Sequence, residues 1–170
     1  MNTKTFGAGD ILIPKAGREQ WSVVACDQFT SDPDYWQSVA AAAQGAPSAL
    51  SIIFPEAYLG KVDFDGKISE INASMEKYLA QDIFDCYENS MIYLERTLSN
   101  GSMRRGIVGL LDLTQYDYNA GSTSLVRATE GTVLDRIPPR VKIRQNAALE
   151  SPHIMVLLDD PKKEIIEPLT

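Results

Sequence analysis

The sequence predicts an α/β fold of the mixed α+β kind: a single domain over 1–170, with a mixed sheet that contains a β-hairpin and has helices packed on it. Three observations carry this. Short apolar runs bounded by turn residues alternate with a long amphipathic run. That run, Lys67–Gln81, repeats its apolar residues at helical spacing. Asn100-Gly101, set between two strand-like runs, is the strongest short hairpin signal in the chain.

In chain order, Ile11–Pro14 and Trp21–Cys26 read as strands separated by the loop Lys15–Gln20. Thr30-Ser31-Asp32-Pro33 reads as a helix start, with an aspartate cap before a proline whose fixed φ suits the first turn. That helix is expected to run from Pro33 to about Ala43 and to stop at Gly45 and Pro47. Leu50–Phe54 reads as another short buried strand. In Lys67–Gln81, Ile68, Ile71, Met75, Tyr78 and Leu79 make the apolar stripe, with Glu70, Glu76 and Lys77 on the other side. Met91–Leu98 and Ser102–Leu113 flank Asn100-Gly101, two residues that tolerate the positive φ of a type I′ turn. In the second strand, Ile107, Gly109, Leu111 and Leu113 are expected to share a face. Tyr116–Ser124 reads as a loop. A helix after Pro138-Pro139 places Arg140 and Arg144 four residues apart on one face. His153–Leu158 reads as a strand, closed by Asp159-Asp160-Pro161. KKEIIEPLT, after Pro161, reads as the start of a further element, so the chain is expected to be the N-terminal portion of a longer protein.

Composition narrows the function classes. No run of about 18 apolar residues is present, so no membrane-spanning segment is expected. The N-terminus lacks the basic start and apolar core of a signal peptide, which points to the cytoplasm. A net charge of −7 argues against general nucleic-acid binding, which draws on a basic surface. Two cysteines and one histidine are too few for a disulfide framework or a multi-histidine metal centre. Nothing in the sequence sets an oligomeric state.

Against that acidic background, Gly121–Arg144 is basic. Arg127, Arg136, Arg140, Lys142 and Arg144 face only Glu130 and Asp135, a local net charge of +3. Ser122, Thr123, Ser124, Thr129 and Thr132 are interleaved. Guanidinium forks and hydroxyl donors match the oxygens of phosphate or carboxylate, so the segment reads as a site for a small anionic metabolite. Arg127, Thr132, Arg136, Arg140 and Arg144 are its candidate anion-binding residues. Glu130 would orient an arginine, bind a metal ion or act as general base. The competing reading is a solvated basic face, with Glu130 and Asp135 in ion pairs.

The order ILIPK, WSVVACDQFTSDPDYW, YLERT, RRGIVGLLDL, RATEGTVLDRIPPRVKIR and HIMVLLDDP resembles the domain of unknown function 1015 family of bacteria and archaea. The resemblance covers nearly the whole chain and is strongest from Met91 to Pro161. It implies a longer parent protein, a link to serine biosynthesis, and a distant similarity to the ParB and sulfiredoxin superfamily. That similarity in turn implies a phosphate-handling α/β fold, by analogy with nucleotide-dependent phosphotransfer enzymes. The family's His-Glu pair falls at Thr129-Glu130 here, so any proton transfer by that histidine is absent from this chain. The sulfiredoxin glycine-cysteine-histidine-arginine signature is also absent.

Outside the basic segment, Asp27 is the other catalytic candidate, because ligands gather at the carboxyl ends of strands in open α/β sheets. It would hold Mg²⁺ or activate a nucleophile; the plainer reading makes Asp27, Thr30 and Asp32 turn and cap residues. Mg²⁺ and a nucleotide are the cofactors that such chemistry admits. Cys26 is read as a small core residue rather than a nucleophile, and His153 as structural rather than as a general base. Asp159-Asp160-Pro161 is read as a turn. Arg104-Arg105 is read as a soluble sheet edge rather than a second anion site. The function expected is binding of a small phosphorylated or carboxylated metabolite, with phosphoryl transfer or hydrolysis linked to serine metabolism as its concrete form. The alternative is a non-catalytic module that binds a metabolite or a protein.

Overall fold

The computed structural model of the chain describes residues 5–17, 19–151 and 153–170. It is a mixed α+β fold. In chain order the elements are β1 (Phe6–Gly7), β2 (Gly9–Pro14), α1 (Pro33–Ala43), α2 (Phe64–Ala80), β3 (Phe84–Ser90), β4 (Ile92–Thr97), β5 (Met103–Val108), β6 (Leu110–Leu111), β7 (Tyr116–Asp117), β8 (Val126–Arg127) and α3 (Ile137–Arg144), with short 3-10 turns between them. Among the described residues the strands form four two-stranded sheets: β1 with β6, β2 with β3, β4 with β5, and β7 with β8. The β1–β6 and β4–β5 pairs are antiparallel, and β7–β8 is parallel. No helix among the described residues is long and apolar enough to cross a membrane.

The chain divides into two compact units. The first comprises Met1–Ile13, Cys86–Thr132 and Val156–Thr170. Its centrepiece is the β4–β5 hairpin, which pairs Ile92 with Val108 through to Thr97 with Met103. The turn differs in type from the expected one. Gly101 takes a positive φ of 81°, whereas Asn100 is not among the residues with positive φ. The amide of Gly101 donates to the Leu98 carbonyl and that of Leu98 donates to the Ser102 carbonyl. This is a three-residue loop closed by a left-handed glycine, not a two-residue type I′ turn. Asn100 serves through its side chain, whose Oδ1 accepts from the Ser102 amide and hydroxyl. Gly101→Ala should cost about 1–2 kcal/mol, because an L side chain is strained at that φ; a fall in urea midpoint with unchanged slope checks it.

The second unit comprises Pro14–Asp85 and Val133–Met155. Asp32 caps α1, its carboxylate accepting the Tyr35 amide at 3.0 Å, with Pro33 in the first turn. The helix ends where Gln44 and then Gly45 turn left-handed, at φ 48° and 74°. On α2, Ile68, Ile71, Met75 and Tyr78 are buried, as the stripe requires. Leu79 lies off that stripe and is 41% exposed. The larger apolar cluster joins Ile71, Met75 and Tyr78 to Ile52, Phe54 and Ile83. The smaller one is Trp36, Ile53 and Ala57, with Val23, Cys26 and Tyr35 against it.

Three expected strands are not strands. Trp21–Cys26 is a 3-10 turn, Glu19–Trp21, followed by irregular chain. Its apolar side chains do reach the core, since Trp21 packs on the larger cluster and Val23 and Cys26 on the smaller. Leu50–Phe54 begins inside a 3-10 turn, Ala49–Ile52, because the Ser48 hydroxyl accepts the Leu50 amide and starts a tight turn there. Ile52 and Phe54 face the larger cluster and Ile53 the smaller, which explains three consecutive buried apolar residues without a strand. His153–Leu158 pairs with no strand among the described residues, and Ile154, Met155, Val156, Leu157 and Leu158 are all more than half exposed.

Candidate functional site

The charged centre of the second unit is built around Glu56. It opens a 3-10 turn, Glu56–Tyr58, directly after the buried run Ile52–Phe54 and Pro55. Ala57 is buried at 1% exposure and fixes the turn against Trp36 and Ile53. The Glu56 side chain is only 8% exposed. Its backbone amide donates to the Cys26 carbonyl at 2.8 Å, which ties this turn to the one that carries Asp27. A carboxylate at that depth is costly unless it is paired.

The partners come from the start of α3 and the residue before it. Arg140 donates to Glu56 Oε1 from Nε at 3.1 Å and from Nη2 at 2.5 Å. Arg136 Nη1 lies 3.6 Å from Glu56 Oε2. Arg140 Nη2 also lies 3.7 Å from Asp27 Oδ2. Two guanidiniums one helical turn apart are therefore held by one buried carboxylate. About half of each arginine side chain stays exposed, 52% for Arg136 and 49% for Arg140. The hydrogen bond to Glu56 raises the Arg140 pKa further above its ordinary value, so this cation is permanent.

Asp27 lies in a turn in which the Gln28 amide bonds back to the Ala25 carbonyl. Trp21–Cys26 is not a strand, so Asp27 does not stand at a strand end; the contact with Arg140 is what brings it to the cluster. Burial pushes the Cys26 thiol up, and the negative charges of Asp27 and Glu56 push it further, against an opposing pull from Arg140. Cys26 is thus a protonated, half-buried thiol, unsuited to nucleophilic attack.

The other cations of α3 have carboxylate partners of their own. Arg144 pairs with Glu150 and Lys142 with Asp65, while Lys142 also lies over the Phe64 ring at 5.9 Å. Arg127, Glu130 and Thr132 belong to the first unit. All three are exposed, and none makes a side-chain hydrogen bond or ion pair among the described residues. Glu56, Asp27, Asp65 and Glu150 each pair with a cation of α3, and all four lie outside Gly121–Arg144. Glu130 and Asp135, the expected ion-pair partners, form no ion pair among the described residues. His153 is exposed. Asp160 folds back on its own segment, accepting the amides of Glu164 and Ile165. Among the described residues no group of three or more His, Cys, Asp or Glu side chains is arranged to hold a metal ion.

Sequence reasoning missed Glu56. The signal was a lone carboxylate inside the apolar stretch IIFPEAYL, where a charge must be buried or the stretch exposed.

Fold and site together define a mixed α+β protein whose charged centre is an arginine pair anchored on a buried glutamate. The chain belongs to the family described as "Protein of unknown function (DUF1015)", which matches residues 10–170. Neither the curated proteins nor the solved structures contain a match to it.

Proposed function

We propose that the chain binds a small phosphorylated or carboxylated metabolite at Arg136 and Arg140. The observation that carries this is the shared anchor: Glu56 fixes both guanidiniums side by side and leaves about half of each facing solvent. Each guanidinium has five N–H donors, and one carboxylate cannot satisfy ten. Donors held in place before a ligand arrives lose less entropy on binding. Phosphoryl transfer or hydrolysis linked to serine metabolism is the reaction we propose for this site, with Asp27, beside Arg140, as the residue that would hold Mg²⁺ next to a nucleotide or activate the nucleophile. Two free cysteines, Cys26 and Cys86, support a reducing, cytoplasmic setting.

A second reading has its own support. Both carboxylates of the cluster, Glu56 and Asp27, are already engaged by Arg140, which suits a site that holds an anion better than one that moves a proton. That describes a non-catalytic metabolite-binding module.

Thermal shift with phosphoserine, serine and nucleotides tests the first reading. A ligand at 100 times its Kd should raise the midpoint by roughly 5–10 °C for a chain of this size. Arg140→Ala should abolish the shift while leaving the fold intact, and a shift that survives the substitution would remove the site assignment. Stabilisation by phosphoserine without phosphate release in the presence of Mg²⁺ and nucleotide selects the binding module.

A further inference from the structure

The hairpin of the first unit presents two unlike faces. On one, Glu95 lies opposite Arg105, and Arg105 Nε donates to Glu95 Oε1 at 3.0 Å. The Tyr93 hydroxyl adds a bond to the same oxygen at 2.8 Å. Met103 and Arg105 of this face also line a groove of about 240 Å³ with Leu158, Asp160, Ile166 and Glu167, so the C-terminal segment lies along it.

On the other face Arg96 lies directly opposite Arg104. Both are exposed, and neither has an ion pair or a side-chain hydrogen bond among the described residues. Like charges directly opposed across an antiparallel pair destabilise it. The next pair on that face is Leu94, 50% exposed, opposite Gly106. A Cβ added at Gly106 would meet nothing within 4 Å, so the surface beside Leu94 is flat and open. Ile92 and Val108, half-buried, complete the strip.

We propose that this face docks an acidic segment of a protein partner, with carboxylates between Arg96 and Arg104 and an apolar side chain over Leu94 and Gly106. Local charge complementarity selects the partner: two guanidiniums that face each other with no carboxylate between them call for carboxylates from outside. Shape selects it over a small molecule, because small-molecule sites are concave and this face is open. Arginine is also among the residues enriched at protein interfaces and their hot spots. The proposal is independent of the arginine pair at Glu56.

Fluorescence anisotropy of a labelled peptide of alternating glutamate and leucine, titrated with the full chain, tests it. Binding is expected to weaken with salt and to fall roughly tenfold or more in the double variant R96Q/R104Q. Arg140→Ala should leave it unchanged, which separates this face from the metabolite site. Arg104→Glu should abolish binding and yet raise the thermal midpoint, because it converts a repulsive cross-strand pair into an attractive one. The proposal is overturned if the wild-type chain does not bind the peptide or the double variant binds it equally well. It is also overturned if inorganic phosphate or a single-stranded oligonucleotide occupies Arg96 and Arg104 in preference, or if Arg104→Glu lowers the midpoint.

Discussion

Glu56→Ala should lower stability by about 1–2 kcal/mol and abolish anion binding at Arg136 and Arg140. A hydrogen bond to a charged group contributes about 1.5–3 kcal/mol, and half-exposed arginines bring the figure toward the lower end because water can re-solvate them. The functional loss should exceed the structural one. Without its anchor each guanidinium returns to a set of rotamers, and the ligand must then order both. Glu56→Gln keeps the shape and one acceptor oxygen but removes the charge, so an intermediate result is expected. Urea unfolding gives the first number and the phosphoserine-linked thermal shift the second. A full shift in the alanine variant would mean that the arginines need no carboxylate to hold them.

Ile71→Ala should cost about 3 kcal/mol, the middle of the range for deleting a fully buried aliphatic side chain. Ile71 is 1% exposed at the centre of the stripe on α2, among Ile52, Phe54, Met75 and Tyr78. Those neighbours come from a 3-10 turn, its exit and the same helix, so little of the wall can move inward to fill the space. Trp21 packs against the Tyr78 and Phe84 rings, with centroids 5.7 Å and 5.2 Å away, and its fluorescence should report the loss directly. A cost below about 1 kcal/mol would place Ile71 at a site that relaxes freely.

The elements legible in the sequence are those whose causes are local. Asp32 and Pro33 announced α1, and the spacing of Ile68, Ile71, Met75 and Tyr78 announced α2. The hairpin was legible from Asn100-Gly101, but its turn type was not, because the same dipeptide serves a two-residue and a three-residue loop. Trp21–Cys26, Leu50–Phe54 and His153–Leu158 were misread because a short apolar run looks alike as strand, buried turn or exposed chain. What decides among these is what packs against the run: two clusters for Ile52–Phe54, and, among the described residues, no strand partner for the residues after His153. At the candidate site, Arg136, Arg140 and Asp27 were visible as residues. Their meeting point was not, because Glu56 lies 84 residues before Arg140 and no local pattern links them.

That separation bears on how the protein comes into being. Ile143, Ala147 and Leu149 close over the larger cluster from a segment translated long after the rest of that cluster. A nascent chain that has emerged only as far as Asp85 holds Glu56 near an apolar surface with no cation to meet it, and it must wait for some fifty further residues before Arg136 and Arg140 arrive. Closing so long a loop slows folding more than it weakens the finished protein. Chaperone demand on the ribosome should therefore peak in that interval and subside once α3 is clear of the exit tunnel.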